Sequence, residues 1–196
     1  SVACGVVGTI AAGVLMARWL GLGAERGFLT GGATSICGAS AALAISAALP
    51  DRPGKDRDTV FTIVAVTAAS TVAMVLYPLL SQLLGLNETA AGYLIGATIH
   101  DVAQVVGAGF TISEEAGETA TLTKLFRVAL LIPVVLVASM LFASSGRSWR
   151  SGLVPPPMLL GFVALAGLNS FGALPVAATD ALANLSGFLL VVAVAA

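Results

Sequence analysis

Charged residues are scarce in this chain. Lys, Arg, Asp and Glu make up 10% of its 196 residues, whereas ordinary globular domains carry about 25%. Because 58% of the residues are hydrophobic and the mean hydropathy is +1.00, the chain has more apolar surface than a water-soluble core can bury. The scarcity of charge excludes an ordinary soluble domain and predicts an all-α membrane protein that crosses the bilayer several times.

Several chemical groups are also missing. The basic residues form no patch, so we expect no nucleic-acid partner. His100 is the single histidine, and no second strong ligand lies near it, so we predict neither a metal site nor a cofactor. Cys4 and Cys37 are interpreted as buried, unreactive thiols. The chain has no Gly-x-Ser-x-Gly motif, and adjacent His100 and Asp101 fit poorly in a triad with Ser35, so we do not expect an enzyme.

Apolar segments make up most of the sequence. We interpret the chain as a single transmembrane region with about seven such segments, at residues 2–17, 28–49, 59–80, 91–112, 124–143, 155–170 and 181–196. Most of them approach the roughly 20 residues that a helix needs to cross a membrane. The first and last reach the ends of the sequence, so we expect the natural protein to be longer.

The loops between the segments predict how the chain crosses the membrane. Residues 50–58 and 144–151 are both enriched in arginine and lysine, which favours the cytoplasmic side for both loops. An even number of crossings must separate them, yet three apolar segments lie between them. Segment 91–112, with its glycines and polar centre, is therefore the candidate for a broken or re-entrant helix. Pro133 predicts a kink in the following segment.

Segment 28–49 is long enough to cross a membrane but is unusually rich in small residues. Glycines and small polar residues are concentrated in one stretch of it: Gly31, Gly32, Thr34, Ser35, Cys37 and Gly38. Small residues allow neighbouring helices to approach closely. The same composition is typical of a broken helix that exposes backbone amides at a binding site. The sequence leaves both interpretations open.

The polar centre of segment 91–112 contains His100, Asp101 and Gln104. An ionisable pair at membrane depth is costly, so it indicates a function. On one continuous helix the three side chains would share a face, turned towards the bundle interior or a water-filled cavity. We interpret the pair as a proton relay or a substrate contact rather than as a packing cluster. Lys124 and Arg127, at the start of the next segment, are either snorkelling side chains or attractors of an anion.

These motifs resemble those of the YeiH-type bacterial membrane proteins, a family labelled as sulfate exporters. The similar stretches are Ser35 to Ala39, His100 to Val106, Lys124 with Arg127-Val128, and Asn169-Ser170-Phe171. Some members have Glu where this chain has Asp101. The resemblance implies a multi-pass carrier of the bacterial plasma membrane, akin to the sodium/proton antiporter and bile-acid transporter folds.

We therefore expect a polytopic helical bundle with one or two broken or re-entrant helices. Its expected function is secondary transport of a small inorganic or organic anion, sulfate-like, coupled to a proton or sodium ion; a homo-oligomer is compatible with this. The predicted substrate or ion site contains Thr34, Ser35, Cys37, Gly38, His100, Asp101, Gln104, Lys124 and Arg127. The alternatives are a cation/proton antiporter that uses Asp101 and a non-transporting scaffold. A His100 side chain facing lipid would overturn the predicted site.

Overall fold

A computed structural model describes residues 2–142, and these residues form helices joined by short loops. The helices are α1 (Val2–Trp19), α2 (Ala24–Ser35), α3 (Ala39–Ala48), α4 (Lys55–Leu83), α5 (Glu88–Thr98), α6 (Val102–Phe110), α7 (Glu114–Ala129) and α8 (Leu131–Leu141). Segments 155–170 and 181–196 and the motif at residues 169–171 lie outside the described residues. Within the described part, α1, α4 and the stretch Glu114–Leu141 are long and apolar enough to cross a membrane. The prediction of an all-α membrane protein is confirmed.

The helix that contains Lys124 and Arg127 begins well before them. Ser113 is its N-cap and its side chain accepts a hydrogen bond from the backbone N–H of Ala116, while acidic residues occupy the first turn. The helix therefore begins ten residues before the apolar segment 124–143 predicted from the sequence. The predicted effect of Pro133 is confirmed, because the helix is interrupted at Leu130, between α7 and α8. Proline lacks the N–H that would bind the carbonyl four residues earlier.

Helices α2 and α3 form a re-entrant unit, which we call hairpin A (residues 24–48). Arg26 in α2 donates a 2.7 Å hydrogen bond to Asp58, and the Ser46 hydroxyl in α3 lies 2.8 Å from the Thr59 hydroxyl. Both ends of hairpin A are thus at the start of α4. Its tip lies further along α4, where a Cβ placed on Gly38 would be 3.4 Å from Val66. Segment 28–49 is therefore a broken helix, and the expectation that it could span the membrane is wrong.

Helices α5 and α6 form a second re-entrant unit, hairpin B (residues 88–110). Glu88, at its start, accepts a 2.7 Å hydrogen bond from Ser113. At its other end, a Cβ placed on Gly109 would lie 2.9 Å from Gly117. Both ends of hairpin B are therefore at the start of α7, while its tip, at residues 99–101, lies beside Lys124 further along that helix. The predicted break in segment 91–112 is confirmed, and both ends of hairpin B lie at the same end of α7, as a re-entrant element requires.

The two hairpins enter from opposite ends of α4. Hairpin A has its base at the start of α4, whereas hairpin B follows the end of α4 after a short loop. The first helices of the hairpins have 12 and 11 residues, or about 18 and 16 Å, which is roughly half of the 30 Å hydrocarbon thickness. The tips therefore meet near the middle of the membrane. Between residues 50–58 and the end of α8, the described helices long and apolar enough to cross are α4 and the α7–α8 stretch, and this even number agrees with the predicted placement of both loops on one side.

Glycines bring each hairpin close to a neighbouring long helix. On α2, a Cβ at Gly31 would lie 2.9 Å from the backbone of Ile10 in α1. On α5, a Cβ at Gly92 would lie 2.5 Å from the carbonyl oxygen of Ala116 in α7. Hairpin A thus packs on α1 and hairpin B on α7. The small residues of segment 28–49 thus serve close packing at Gly31 and a helix break at Gly38, while a binding site at the exposed amides stays a prediction.

Candidate functional site

The tips of hairpins A and B are in contact. Gly38, with a φ of 64°, lies at the tip of hairpin A, and a Cβ placed on it would be 3.3 Å from the Cβ of His100. That φ favours glycine, and the space beside it is filled by hairpin B. The structure therefore brings together the two polar segments that the sequence suggested as partners.

Arg127 joins the two tips from α7. Its Nε donates to the carbonyl of Ser35 at 2.8 Å, and its Nη2 donates to the carbonyls of Thr34 at 3.2 Å and Ser35 at 2.6 Å. On the other hairpin, its Nη1 donates to the carbonyl of Gly96 at 3.1 Å and to that of Ile99 at 3.4 Å. Arg127 thus binds the last carbonyls of α2 and α5, which lack partners within their own helices.

Lys124 joins the same tips one turn earlier. Its Nζ donates to the carbonyl of Ile36 at 2.5 Å and to that of Ile99 at 3.0 Å. Lys124 is 0% exposed and Arg127 is 3% exposed, so the snorkelling interpretation is wrong. The reason is the early start of α7, which places both cations deep in the helix. Cations are favoured at helix C-termini, and carbonyls at membrane depth need donors.

The polar centre of hairpin B does not form one helical face. The α-helix ends at Thr98 and resumes at Val102, so His100 lies in the break and is half-buried. Asp101 is exposed and acts as the N-cap of α6, accepting a hydrogen bond from the N–H of Gln104 at 3.1 Å. The prediction of a shared face is wrong because aspartate at this position binds the free amides of a new helix.

Ser70, in the middle of α4, binds the tip of hairpin B and was not predicted. Its hydroxyl accepts the backbone N–H groups of His100 at 3.1 Å and Asp101 at 3.2 Å, and donates to Oε1 of Gln104 at 2.5 Å. The Nε2 of Gln104 in turn donates to Thr71 at 3.2 Å. Serines in membrane helices commonly bond their own helix, so nothing in the sequence distinguishes Ser70 from the other hydroxyl residues of α4.

A cavity of about 570 Å³ opens beside the tips. The predicted site residues that line it are Thr34, Ser35, His100 and Arg127, and Tyr77 and Tyr93 contribute aromatic surface. The hydroxyls of Thr34 and Ser35 donate to carbonyls of their own helix. The other predicted residues do not line this cavity: Cys37, Gly38, Asp101, Gln104 and Lys124. Cys37 is half-buried and Cys4 is exposed, so the prediction that Cys4 is buried is wrong.

Comparisons with known proteins identify similar sequences. A family model described as "Conserved hypothetical protein 698" matches residues 2–196. The chain is 50% identical to the UPF0324 membrane protein TauZ of Paracoccus pantotrophus over 199 residues. The aligned region covers 100% of the chain and 59% of that protein. It is 46% identical over 193 residues to a UPF0324 membrane protein of Chlorobaculum tepidum, covering 96% and 53% respectively. The chain thus spans little more than half the length of these relatives. No solved structure matches it.

Proposed function

Because the chain belongs to the family described as "Conserved hypothetical protein 698", whose curated relatives are bacterial membrane proteins, we propose that it forms part of a secondary transporter for a small anion. The chain itself is a multi-pass protein of the bacterial plasma membrane, and transport of a sulfate-like ion is the proposed activity. The observation that carries the proposal is the pair of buried cations, Lys124 and Arg127, at the meeting point of the two hairpin tips.

The balance of charge at the tips favours an anion. Among residues 2–142, neither Lys124 nor Arg127 forms an ion pair, and their recorded hydrogen bonds all go to neutral carbonyls. The C-terminal ends of α2 and α5 offset about one of the two positive charges, at about half a charge each. The N-terminal ends of α3 and α6 contribute about half a positive charge each, and the negative charge of Asp101 offsets their sum. About one positive charge is left, which an anionic substrate would neutralise.

The geometry also supplies uncapped amides and an approach path. The N-cap of α3 is Gly38, which has no side chain to bind the first N–H groups of that helix, and such N-termini bind anions. The cavity reaches His100 and Arg127 from the side of α1 and α4. Alternating access of a carrier requires a site of this kind, near the middle of the membrane, between elements that can separate.

The cation antiporter is the weaker alternative. A cation at Asp101 would meet the excess positive charge of Lys124 and Arg127, and the Asp101 carboxylate already binds the N–H of Gln104. The scaffold alternative accounts for the two cations as donors to the carbonyls of the tips, but it leaves their excess charge uncompensated at membrane depth, where each buried ion costs several kcal/mol. An anion carrier accounts for both features with the same residues.

Flux measurements on the full-length protein in proteoliposomes test the proposal. We expect saturable sulfate uptake that responds to an imposed pH gradient, with loss of uptake in His100→Ala and Asp101→Asn. Thr67→Ala, an exposed change on α4 away from the cavity, is the matched control and should transport at the wild-type rate. Sodium or potassium flux without any dependence on an anion would favour the antiporter. If the folded protein transports no ion, only the scaffold alternative remains.

The thiol of Cys37 gives a binding measurement that does not require transport. Cys37 lies at the tip of hairpin A, next to Gly38. In the Cys4→Ser protein, we expect sulfate to slow the reaction of Cys37 with N-ethylmaleimide, and chloride at equal ionic strength to slow it less. Equal reaction rates with and without every anion in a panel of sulfate, phosphate and small sulfonates would contradict an anion site at the tips.

A further inference from the structure

The Ser70 hydroxyl is saturated by hairpin B. It accepts hydrogen bonds from two consecutive backbone N–H groups and donates its single proton to Gln104, which is the full bonding capacity of a serine hydroxyl. Ser70 is 0% exposed. All three partners belong to hairpin B, so this side chain binds the hairpin and makes no recorded bond to its own helix.

The two faces of the tip of hairpin B are held by different helices. The carbonyl of Ile99 binds Lys124 and Arg127 of α7, whereas the N–H groups of His100 and Asp101 bind Ser70 of α4. The α7 contacts are charge-assisted, and charge-assisted hydrogen bonds are roughly twice as strong as neutral ones. The contacts with α4 are neutral. Hairpin B is therefore bound more weakly to α4 than to α7.

The base of hairpin B has no strong tie to α4 either. Its recorded side-chain bonds connect Glu88 with Ser113 and Thr89 with Glu115, all outside α4. The other contacts between hairpin B and α4 are the bond from Gln104 to Thr71 and apolar packing, in which Met74 lies against the cluster that contains Val105. Separation of hairpin B from α4 thus requires breaking the bonds of Ser70 and Thr71 and an apolar interface, with no ion pair lost among the described residues. If α7 moves with hairpin B, its cations also release the carbonyls of hairpin A.

We propose that Ser70 is a positioning residue for the site, whose hydroxyl holds the tip of hairpin B against α4 and whose release lets that hairpin open. The inference rests on the proposed transport function, because opening would expose His100 and the tip of hairpin A to the substrate. During this movement, Lys124 and Arg127 keep hairpin B attached to α7. Ser70 acts through the backbone of residues 100 and 101 and does not itself bind the anion.

The test measures access to the interface between hairpin B and α4. Val105, which is 0% exposed, reports on that interface when replaced by cysteine, and Ala42, also 0% exposed, reports on hairpin A. Each reporter is placed in the full-length protein with Cys4, Cys37 and any cysteine outside these 196 residues replaced by serine. In Ser70→Ala we expect the labelling of V105C by N-ethylmaleimide to accelerate about tenfold, since three hydrogen bonds are lost, with the labelling of A42C unchanged.

Further variants distinguish this role of Ser70, which we call the latch, from a general loosening of the helix packing. Thr71→Ala, on the adjacent exposed residue, removes only the bond from Gln104 Nε2 and should change labelling less than twofold. Ser70→Thr keeps the hydroxyl and should restore slow labelling. If Ser70→Ala does not fold, Gln104→Ala removes the acceptor of the Ser70 proton and should accelerate V105C labelling about threefold.

The outcomes distinguish the latch from the transporter. Acceleration confined to V105C supports the latch. Equal V105C labelling rates with and without the Ser70→Ala substitution, or equal acceleration at V105C and A42C, would overturn it. Failure of the wild-type protein to move sulfate, phosphate or any small sulfonate, with acceleration confined to V105C, would overturn the transporter and leave Ser70 holding a hairpin with another function.

Discussion

Hairpin A is attached to α4 at its base by ion pairs, whereas hairpin B is attached to α4 at its tip by a serine hydroxyl. At the base of hairpin A, Arg26 and Arg52 both bind Asp58, at 2.7 and 2.8 Å, and Arg52 also binds Glu25 at 3.0 Å. These bonds tie α2, the following loop and α4 together. The base of hairpin B has hydrogen bonds between exposed residues and, within residues 2–142, no ion pair.

The difference follows from where each attachment lies. A hairpin base is close to water, so charged side chains there remain partly hydrated and ion pairs can form at little cost. A tip lies near the middle of the membrane, where carbonyl and amide groups must find partners in protein. Lys124 and Arg127 satisfy the carbonyls of both tips, and Ser70 satisfies the amides of one. The proposal therefore assigns hairpin A as the anchored element and hairpin B as the movable one.

The largest expected effect concerns the faces of the membrane on which the bases of hairpins A and B lie. Cysteines at Leu86 and Glu115, which flank hairpin B, should both react with a membrane-impermeant maleimide added from the same face. A cysteine at the exposed Arg57, near the base of hairpin A, should react only from the other face. Reaction of the Leu86 and Glu115 positions from opposite faces would mean that residues 88–110 cross the membrane.

Loss of Arg127 should destabilise both hairpins together. Arg127→Leu leaves the carbonyls of Thr34, Ser35 and Gly96 without their donor. Each unsatisfied buried group costs about 1–3 kcal/mol, so we expect a loss of more than about 4 kcal/mol. The measurement is the amount of monodisperse full-length protein after heating. Arg57→Leu, at an exposed position, is the control, and equal survival of the two variants would contradict the bridging role.

Replacing the packing glycines with alanine should weaken the contact between each hairpin and the long helix beside it. A Cβ at Gly31 would meet Ile10 of α1 at 2.9 Å, and one at Gly96 would meet Thr123 of α7 at 2.8 Å. We expect each alanine variant to lower thermal stability by about 1–3 kcal/mol. A Cβ at Gly107, in α6, would have no atom within 4 Å, so Gly107→Ala should be neutral or stabilising by about 0.5–1 kcal/mol. A loss at Gly107 equal to that at Gly96 would contradict the packing explanation.

The smallest expected effects compare the two bases directly. Asp58→Asn removes the ion pairs with Arg26 and Arg52, whose side chains are 33% and 22% exposed. With allowance for screening by solvent, we expect a loss of about 1–2 kcal/mol that shrinks at high salt. Glu88→Gln, at the exposed base of hairpin B, should cost about 0.5 kcal/mol or less. Thermal unfolding at low and high salt measures both, and a larger loss for Glu88→Gln would reverse the assignment of anchor and movable element.

Local residue chemistry predicted the break in segment 91–112 and offered a break in segment 28–49 as one of two interpretations. Gly38 and its small neighbours weaken a helix, and Asp101 favours the start of a new one, so both interruptions lie where polar and small residues are concentrated. The crossing count also indicated the re-entrant form of segment 91–112. The start of α7 was missed because the polar residues from Ser113 to Thr123 were interpreted by their hydrophilicity and not by the capping serine.

Composition and local residue chemistry were enough to establish the class of the protein, and they indicated the break in segment 91–112 and most of the polar groups at the candidate site. Composition decides whether a chain can be dissolved in water or lipid, and small or capping residues decide where a helix stops. The folded arrangement was needed to show that Lys124 and Arg127 bind carbonyls of both tips and that Ser70 holds hairpin B. These pairings join residues 25 to 93 positions apart. Their partners are backbone groups, which carry no mark in the sequence and are set by the packing of helices.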